Sequence, residues 1–230
     1  MSATEIDLPQ SWKCSGETVT ATRITTCDSV QTLTLIVAGS TKKQAAALAV
    51  TKSLVQAFFL TSSQAITLHF NGTNEQQSVT ITGSPTGGTF TLTWSGQTTS
   101  AIAYNASAAT VQTALEALSN IGVGDVSVSG SAGGPYTVTF TGDLGLSDVA
   151  AMTASGAGLT GGTTPGVSIA TPVAGVAPDA TWSLAADSPE VWDKNGLFTN
   201  PMPGNLVNVY ITNANTVSAK VQLRFGVNAS

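Results

Sequence analysis

The chain contains a single histidine, His69, in its 230 residues. Histidine is the side chain best suited to act as a general base near neutral pH. It lies in the alternating stretch 65–70, between Leu68 and Phe70. Side chains of a strand alternate between its two faces, so His69 falls opposite the apolar residues, together with Thr67. The sequence places no nucleophile or orienting carboxylate beside it, and we expect a solvated strand histidine.

Three carboxylates, Asp187, Glu190 and Asp193, follow one another at intervals of three residues. Oxygen-rich loops of this kind can ligate Ca²⁺, but that ion normally takes six or more ligands, and the pattern of an EF-hand loop is absent. Pro189 and Trp192 within the same stretch favour an ordered surface turn. The sequence therefore assigns no metal site here.

The two cysteines, Cys14 and Cys27, flank a predicted hairpin over residues 18–26 and could meet across it. A disulfide remains the alternative, but we favour reduced thiols, as in a protein assembled in the cytoplasm. Two cysteines and one histidine are too few for a zinc site. We assign no cofactor-binding, metal-binding or catalytic residue and predict a protein that is not an enzyme.

The glycine pairs Gly133-Gly134 and Gly161-Gly162 are not followed by the Lys-Ser/Thr of a phosphate-binding loop. We interpret them as strand connections that need a positive φ.

Tryptophans could offer stacking platforms for sugars. Trp94 and Trp182 fall on the apolar sides of their strands, which favours core packing. Trp192, beside Asp193 and Asn195-Gly196, is the candidate contact residue.

Charged residues make up only 9% of the chain, whereas about a quarter is usual in soluble domains. With 8 Lys and Arg residues and a net charge of -5, the chain has no basic stripe for a nucleic acid backbone. The longest apolar stretch, 45–60, is interrupted by Lys52 and Gln56, so we expect no membrane span. Residues 1–10 lack the basic start and apolar run of a signal peptide, and none is predicted.

The middle of the chain, 74–175, is rich in Gly, Thr, Ser and Ala and carries short alternating strands, predicted over 89–94, 125–129 and 135–141. Between the first and second of these, Ser107 is a predicted N-cap, and an apolar stripe follows it at helical spacing. A stop is expected at residues 120–122. The order indicates a small α+β domain with one helix on a sheet. The stripe consists of Val111, Ala114, Leu115 and Leu118.

The flanking segments alternate as strands with one apolar face each. Neither flank has enough strands to close a core, but together they predict an antiparallel β-sandwich or jelly-roll-like domain. The predicted organisation is therefore a discontinuous domain, 1–73 plus 176–230, with 74–175 inserted into one of its loops. The inward residues are Leu33, Leu35, Val37, Ile66, Leu68, Phe70, Trp182, Leu184, Val207, Val209, Ile211, Val221, Leu223 and Phe225. The turns are Asn195-Gly196, Pro203-Gly204 and Asn213-Ala214-Asn215.

Residues 42–59 fit two interpretations. Propensity alone favours a helix, because Ala45, Ala46, Ala47 and Leu48 are strong helix formers. The alternative is a strand over 44–50, a helical turn through Leu54 and a strand from Phe58. We adopt the alternative because the family resemblance described next favours it.

Two resemblances emerge from these residues. Residues 78–83, 87–92 and 102–108, followed by 115–122 and 134–140, resemble a module found in bacteriophage virion proteins and bacterial surface proteins. The flanks, through residues 63–68, 177–184, 189–192 and 209–213, resemble a small structural protein common in phage genomes. In that family the sequence runs almost directly from the block that matches 63–68 to the block that matches 177–184. This places the insertion between Asn71 and Asp179.

These resemblances imply a role in a phage particle, with capsid decoration first and a tail or fibre-type adhesin that binds host glycans as the alternative. The partners implied are the major capsid protein or other virion proteins and further copies of the chain, with no nucleic acid or membrane. Absence of an export signal fits a virion component assembled in the host cytoplasm and released by lysis.

Overall fold

In a computed structural model of the protein, the described residues are 4–14, 17–27, 29–193 and 199–228. The described chain is mainly β, as predicted, with antiparallel sheets and a single α-helix. The strands are β1 (Thr4–Cys14), β2 (Glu17–Cys27), β3 (Ser29–Val37), β4 (Thr41–Val50), β5 (Val55–Ser62), β6 (Ile66–Phe70), β7 (Gln76–Thr82), β8 (Gly87–Trp94), β9 (Gln97–Thr98), β10 (Ile102–Ala103), β11 (Val126–Gly130), β12 (Tyr136–Phe140), β13 (Thr153–Thr160), β14 (Gly166–Val173), β15 (Ala180–Leu184), β16 (Glu190–Asp193), β17 (Leu206–Asn213) and β18 (Ala219–Val227). The helix is α1 (Ala108–Glu116).

The chain forms two compact units: unit 1 contains Met1–Asn71 and Asp179–Ser230, and unit 2 contains Gly72–Pro178. Unit 1 has two four-stranded sheets, in the orders β15-β6-β17-β4 and β16-β5-β18-β3. Successive strands from β3 to β18 change sheet at every step except from β6 to β15, which pair directly. This connectivity is that of an eight-stranded jelly roll. It confirms the predicted class for the flanking segments.

The interior of unit 1 is filled by the apolar faces of both sheets. Val37 of β3 is buried there, and Leu33 and Leu35 pack against it half-buried, as their alternation predicts. Burying side chains of this size stabilises a fold by about 1.5–3 kcal/mol each. The other predicted positions that are buried in this core are Ile66, Leu68, Phe70, Leu184, Val209, Ile211, Val221, Leu223 and Phe225.

Residues 42–59 form strands rather than a helix. Strand β4 ends at Val50, a 3₁₀ turn spans Lys52–Leu54, and β5 begins at Val55. The interpretation chosen from the family resemblance is confirmed. Tertiary pairing of β4 with β17 overrides the helix propensity of the alanines.

Two predictions for unit 1 are wrong. Val207 is 70% exposed, because the pairing of β17 with β4 shifts register between Leu206 and Asn208 and turns Val207 away from the core. The predicted surface turn around Glu190 is a strand, since β16 pairs with β5. The predicted turn at residues 195–196 lies outside the described residues.

The N-terminal hairpin is longer than predicted, since β1 and β2 pair along their whole length as a separate two-stranded sheet. Residues 18–26, predicted as a hairpin, are part of the second strand alone. The register places Cys14 opposite Glu17 and Cys27 opposite Thr4. The register therefore places the two cysteines at opposite ends of the hairpin.

Unit 2 also has two sheets. One has the order β11-β12-β7-β14, and the other has β10-β8-β13 with β9 added to β8. The alternating residues of β8 and β12 are buried as predicted. The sequence did not separate two sheets because β13 carries Gly156 and Gly158 and has no regular apolar alternation. The buried residues are Phe90, Leu92, Trp94, Tyr136, Val138 and Phe140.

Helix α1 covers part of this core. The Ser107 hydroxyl accepts a hydrogen bond from the Thr110 amide at 3.2 Å, which confirms the predicted N-cap. Val111 and Leu115 are buried on its inner face. The helix ends at Glu116, before the predicted stop. No helix among the described residues is long and apolar enough to cross a membrane.

Candidate functional site

Unit 1 has an aromatic groove of about 610 Å³. Trp182 of β15 and Trp192 of β16 line it, with Phe58 of β5 between the two rings. The ring centroids of Phe58 lie 5.7 Å from Trp182 and 5.9 Å from Trp192. The volume lies within the usual range for small-ligand sites.

The sequence predicts different roles for the two tryptophans of this groove. Trp182 was assigned to the core, and it does contact Phe70 edge-on at 4.8 Å between centroids, but it remains half-buried and also lines the groove. Trp192, the candidate contact residue, is half-buried beside it. The exposed Glu190 and Ser183 add polar groups to the wall. The groove can therefore accept a flat apolar face with hydroxyl groups at its edge.

His69 lies on the polar face of its strand, as predicted. Its Nε2 is 3.1 Å from the Thr212 hydroxyl, and its Nδ1 is 3.4 Å from the Thr181 hydroxyl. Partial burial lowers the pKa of His69, and the nearby charge of Lys43 lowers it further. The Thr212 hydroxyl also accepts a hydrogen bond from the Lys43 amide at 3.1 Å. These contacts bridge neighbouring strands and place no carboxylate at the imidazole ring.

Two of the three carboxylates considered as calcium ligands lie in different elements. Asp187 has a φ of 52° in the turn before β16, and Glu190 belongs to β16. Within the described part of the chain, no group of three or more His, Cys, Asp or Glu side chains is arranged to hold a metal ion.

The glycine pairs occupy the strand connections predicted for them. Gly133 and Gly134 have φ of 82° and 77°, and Gly161 and Gly162 have 75° and 68°. Residues that carry a side chain rarely adopt these φ values, so glycine is needed there.

Unit 2 has a smaller pocket of about 310 Å³ among its loops. Tyr104 and Asn105 line it, with Asn105 exposed and Tyr104 half-buried. Trp94, in contrast, is buried as predicted, and its indole nitrogen donates a hydrogen bond to the Ala150 carbonyl at 2.8 Å. This pocket therefore combines a half-buried aromatic side chain with an exposed amide.

Buried polar networks in both units were missed by the sequence analysis. In unit 2, Glu75 and Gln77 are 1% and 0% exposed. Gln77 donates to Glu75 at 2.6 Å, while Glu75 accepts from the Val149 amide at 2.8 Å. In unit 1, Asn213 is fully buried, and its side-chain amide donates hydrogen bonds to the carbonyls of Val37 and Val217.

Comparison with known proteins finds a relative among phage particle proteins. Over 100 residues the chain is 45% identical to the tail sheath protein of Mycobacterium phage Bxz1. The match covers 44% of this chain and 16% of that protein. No protein-family model matches the chain. The similarity supports the predicted resemblance to phage virion proteins.

Proposed function

We propose that this chain is a non-enzymatic structural protein of a bacteriophage virion. The observation that carries the proposal is the 45% identity over 100 residues to a phage tail sheath protein. In the proposal, the jelly roll of unit 1 attaches to other virion proteins. Unit 2 is an inserted module that is displayed on the particle.

The chain geometry around β6 and β15 supports the insertion. The Asp179 amide donates to the Phe70 carbonyl at 3.0 Å, and the Asn71 side-chain amide donates to the Asp179 carboxylate. The two ends of unit 1 at which unit 2 leaves and returns are therefore hydrogen-bonded neighbours. Closely spaced ends at a hairpin tip are the positions that tolerate an added domain.

The length of the match supports a shared module. The segments of unit 1 end at Asn71 and resume at Asp179, so neither can hold a continuous match of 100 residues. Such a match includes part of unit 2. We infer that unit 2 is a module used by more than one phage particle protein, because the match covers only 16% of the tail sheath protein.

The absence of catalysis is part of the proposal. Both imidazole nitrogens of His69 lie beside threonine hydroxyls on a sheet face. Neither a carboxylate nor an activated nucleophile accompanies them among the described contacts of His69. A general base normally needs both a proton donor in the substrate and a group that orients the ring.

Within the particle we propose capsid decoration first, with the major capsid protein as the partner. Jelly rolls recur in viral capsid domains. The second candidate is a tail component, which the tail sheath similarity favours. In both, the protein assembles in the host cytoplasm and leaves by lysis.

Quantitative mass spectrometry of purified virions, with heads and tails separated, tests this proposal. We expect the chain in the head fraction at about one copy per capsid subunit or per capsomer, because decoration follows capsid symmetry. A few copies confined to the tail fraction would support the second candidate. Complete absence from virions would overturn the virion proposal.

A glycan-binding role is the alternative that the pocket of unit 2 favours, since it combines Tyr104 with the exposed Asn105. If the chain binds host glycans through unit 2, Tyr104→Ala should abolish binding to an array of bacterial surface glycans. Trp192→Ala, in unit 1, should leave that binding unchanged. The opposite result would move the glycan site to the aromatic groove, and no binding by the unsubstituted protein would contradict this role.

A further inference from the structure

Strand β3 forms an open edge of the jelly roll. It is the last strand of the sheet β16-β5-β18-β3, and its nine residues pair with β18 in one register without a bulge. Its sequence, SVQTLTLIV, contains no charge, proline or glycine. An edge strand of this kind presents a straight row of backbone donors and acceptors on its free side.

The other edge strands described in the two units carry features that block such pairing. Among them are shortness, charge, proline and bulges, the usual means by which proteins protect sheet edges. The short edges are β15, β16, β11, β9 and β10. The remaining ones are β1 and β2, whose sequences contain charged residues; β4, with Lys42 and Lys43; β13, with a register shift between Ser155 and Gly158; and β14, with Pro172 and a register shift.

Outward side chains of β3 are accessible to solvent. Thr32 and Thr34 are exposed, and Ile36 is 65% exposed. A large apolar side chain at the end of an unprotected edge strand favours contact with another chain. Among the described residues, β3 therefore has an unpaired backbone edge and an exposed outer face.

We propose that two copies of this chain associate through β3, which pairs antiparallel with its counterpart about a twofold axis. The register is centred on Leu33, so Thr32 of each copy lies opposite Thr34 of the other. Val30 then lies opposite Ile36. The two four-stranded sheets become one continuous sheet that crosses the interface.

The pattern of β3 identifies a second copy as the partner. About a twofold axis each facing pair occurs twice, because residue i of one copy faces residue j of the other and j faces i. The outward pairs suit this arrangement, since Thr32 faces Thr34 and Val30 faces Ile36, which joins two β-branched apolar residues. Such pairs stabilise neighbouring strands. Because β3 carries no charge, self-pairing brings no like charges together.

Paired substitutions test both the partner and the register. Facing side chains on neighbouring strands have Cβ atoms about 4.5–5.5 Å apart. The double variant Thr32→Lys with Thr34→Lys places lysine against lysine twice, and we expect the dimer dissociation constant to rise about ten-fold or more. The double variant Thr32→Lys with Thr34→Glu places opposite charges together at the same positions. It should restore association.

The association is measured on the full purified chain by analytical ultracentrifugation, with circular dichroism to verify folding. A matched control, Thr153→Lys with Ser155→Lys, adds two lysines at exposed positions of the bulged edge β13 and should leave the dissociation constant unchanged. If both β3 variants weaken association equally, or neither does, the proposed pairing is wrong. A monomeric unsubstituted protein at all concentrations would also overturn it.

Hydrogen exchange on the unsubstituted protein provides a readout that does not depend on the folding of a variant. The amides of residues 29–37 should exchange more slowly as the protein concentration rises through the dimer range. Exchange that is independent of concentration there would contradict the interface. Since these measurements use the isolated protein, their failure would leave the virion proposal intact, and absence from virions would leave the dimer intact.

Discussion

An Asn213→Asp variant is expected to lose about 4 kcal/mol of unfolding free energy near pH 7, a cost typical of an uncompensated buried charge. Asn213 is fully buried at the end of β17. Its amide nitrogen lies 3.2 Å from the Val37 carbonyl, 3.1 Å from that of Ala38 and 2.9 Å from that of Val217. The substitution would place a carboxylate oxygen against these three acceptors.

The loss should depend on pH in a defined direction. Burial and the surrounding carbonyls should raise the pKa of the introduced carboxyl above its value in the unfolded chain. Relative to the unsubstituted protein, the variant should therefore be least impaired below the unfolded pKa, where a protonated carboxyl can donate one hydrogen bond. The loss should grow as the pH rises through the folded pKa. Urea unfolding at several pH values measures this difference.

Two further variants separate charge from packing at this position. Asn213→Leu removes the hydrogen bonds without adding a charge and should cost about 2 kcal/mol with little dependence on pH. Gln97→Glu makes the same change from amide to carboxylate at an exposed position and should leave the unfolding free energy nearly unchanged. Equal losses for the Asp and Leu variants would contradict the electrostatic explanation.

Asn213 also illustrates what alternation can and cannot reveal. Val209, Ile211 and Asn213 are in phase along β17, and all three are buried. In unit 2, Gln77 is in phase with Val79 and is buried beside it. A polar side chain that continues an apolar phase should therefore be expected to need an internal hydrogen-bonding partner. Local alternation does not identify all the partners, because Val37 and Ala38 reach Asn213 from a segment distant along the chain, whereas Val217 is four residues away.

The strands that the sequence predicted correctly carry their own evidence. Phe90, Leu92 and Trp94 alternate with threonines, and one buried face follows from that pattern alone. Strand β16 has only four residues and follows Pro189, so it shows no such pattern. Its partner strand, β5, is remote in sequence. The prediction that Val207 faces the core failed for a related reason, since the position of a bulge depends on the partner strand.

The groove was only half predictable for the same reason. Trp192 was singled out by its polar neighbours, whereas Trp182 was assigned to the core by its phase on β15. Phe58, the ring between them, comes from the other side of the insertion. Local periodicity reports which face of a strand is apolar. It does not report where a sheet ends and leaves an aromatic side chain half-covered.

Removal of the buried carboxylate of unit 2 should have the second large effect. Glu75→Ala is expected to lose about 3 kcal/mol of unfolding free energy, since hydrogen bonds to a charged group contribute about 1.5–3 kcal/mol each. It would leave the Val149 amide and one donor of Gln77 without their acceptor. Gln77 also accepts from the Met152 amide at 2.7 Å, so the loop before β13 should loosen as well.

Hydrogen exchange measured by mass spectrometry locates this loss, because peptides of unit 2 are followed separately from those of unit 1. Faster exchange in the loop before β13 is expected for Glu75→Ala, with the jelly roll unchanged. Glu75→Gln should also be destabilising, because both Glu75 oxygens accept hydrogen bonds and the new amide would oppose a donor at one of them. Asp148→Ala removes an exposed carboxylate from the same loop and should have little effect. If Asp148→Ala were as costly as Glu75→Ala, loop charge rather than the buried hydrogen bonds would stabilise this connection.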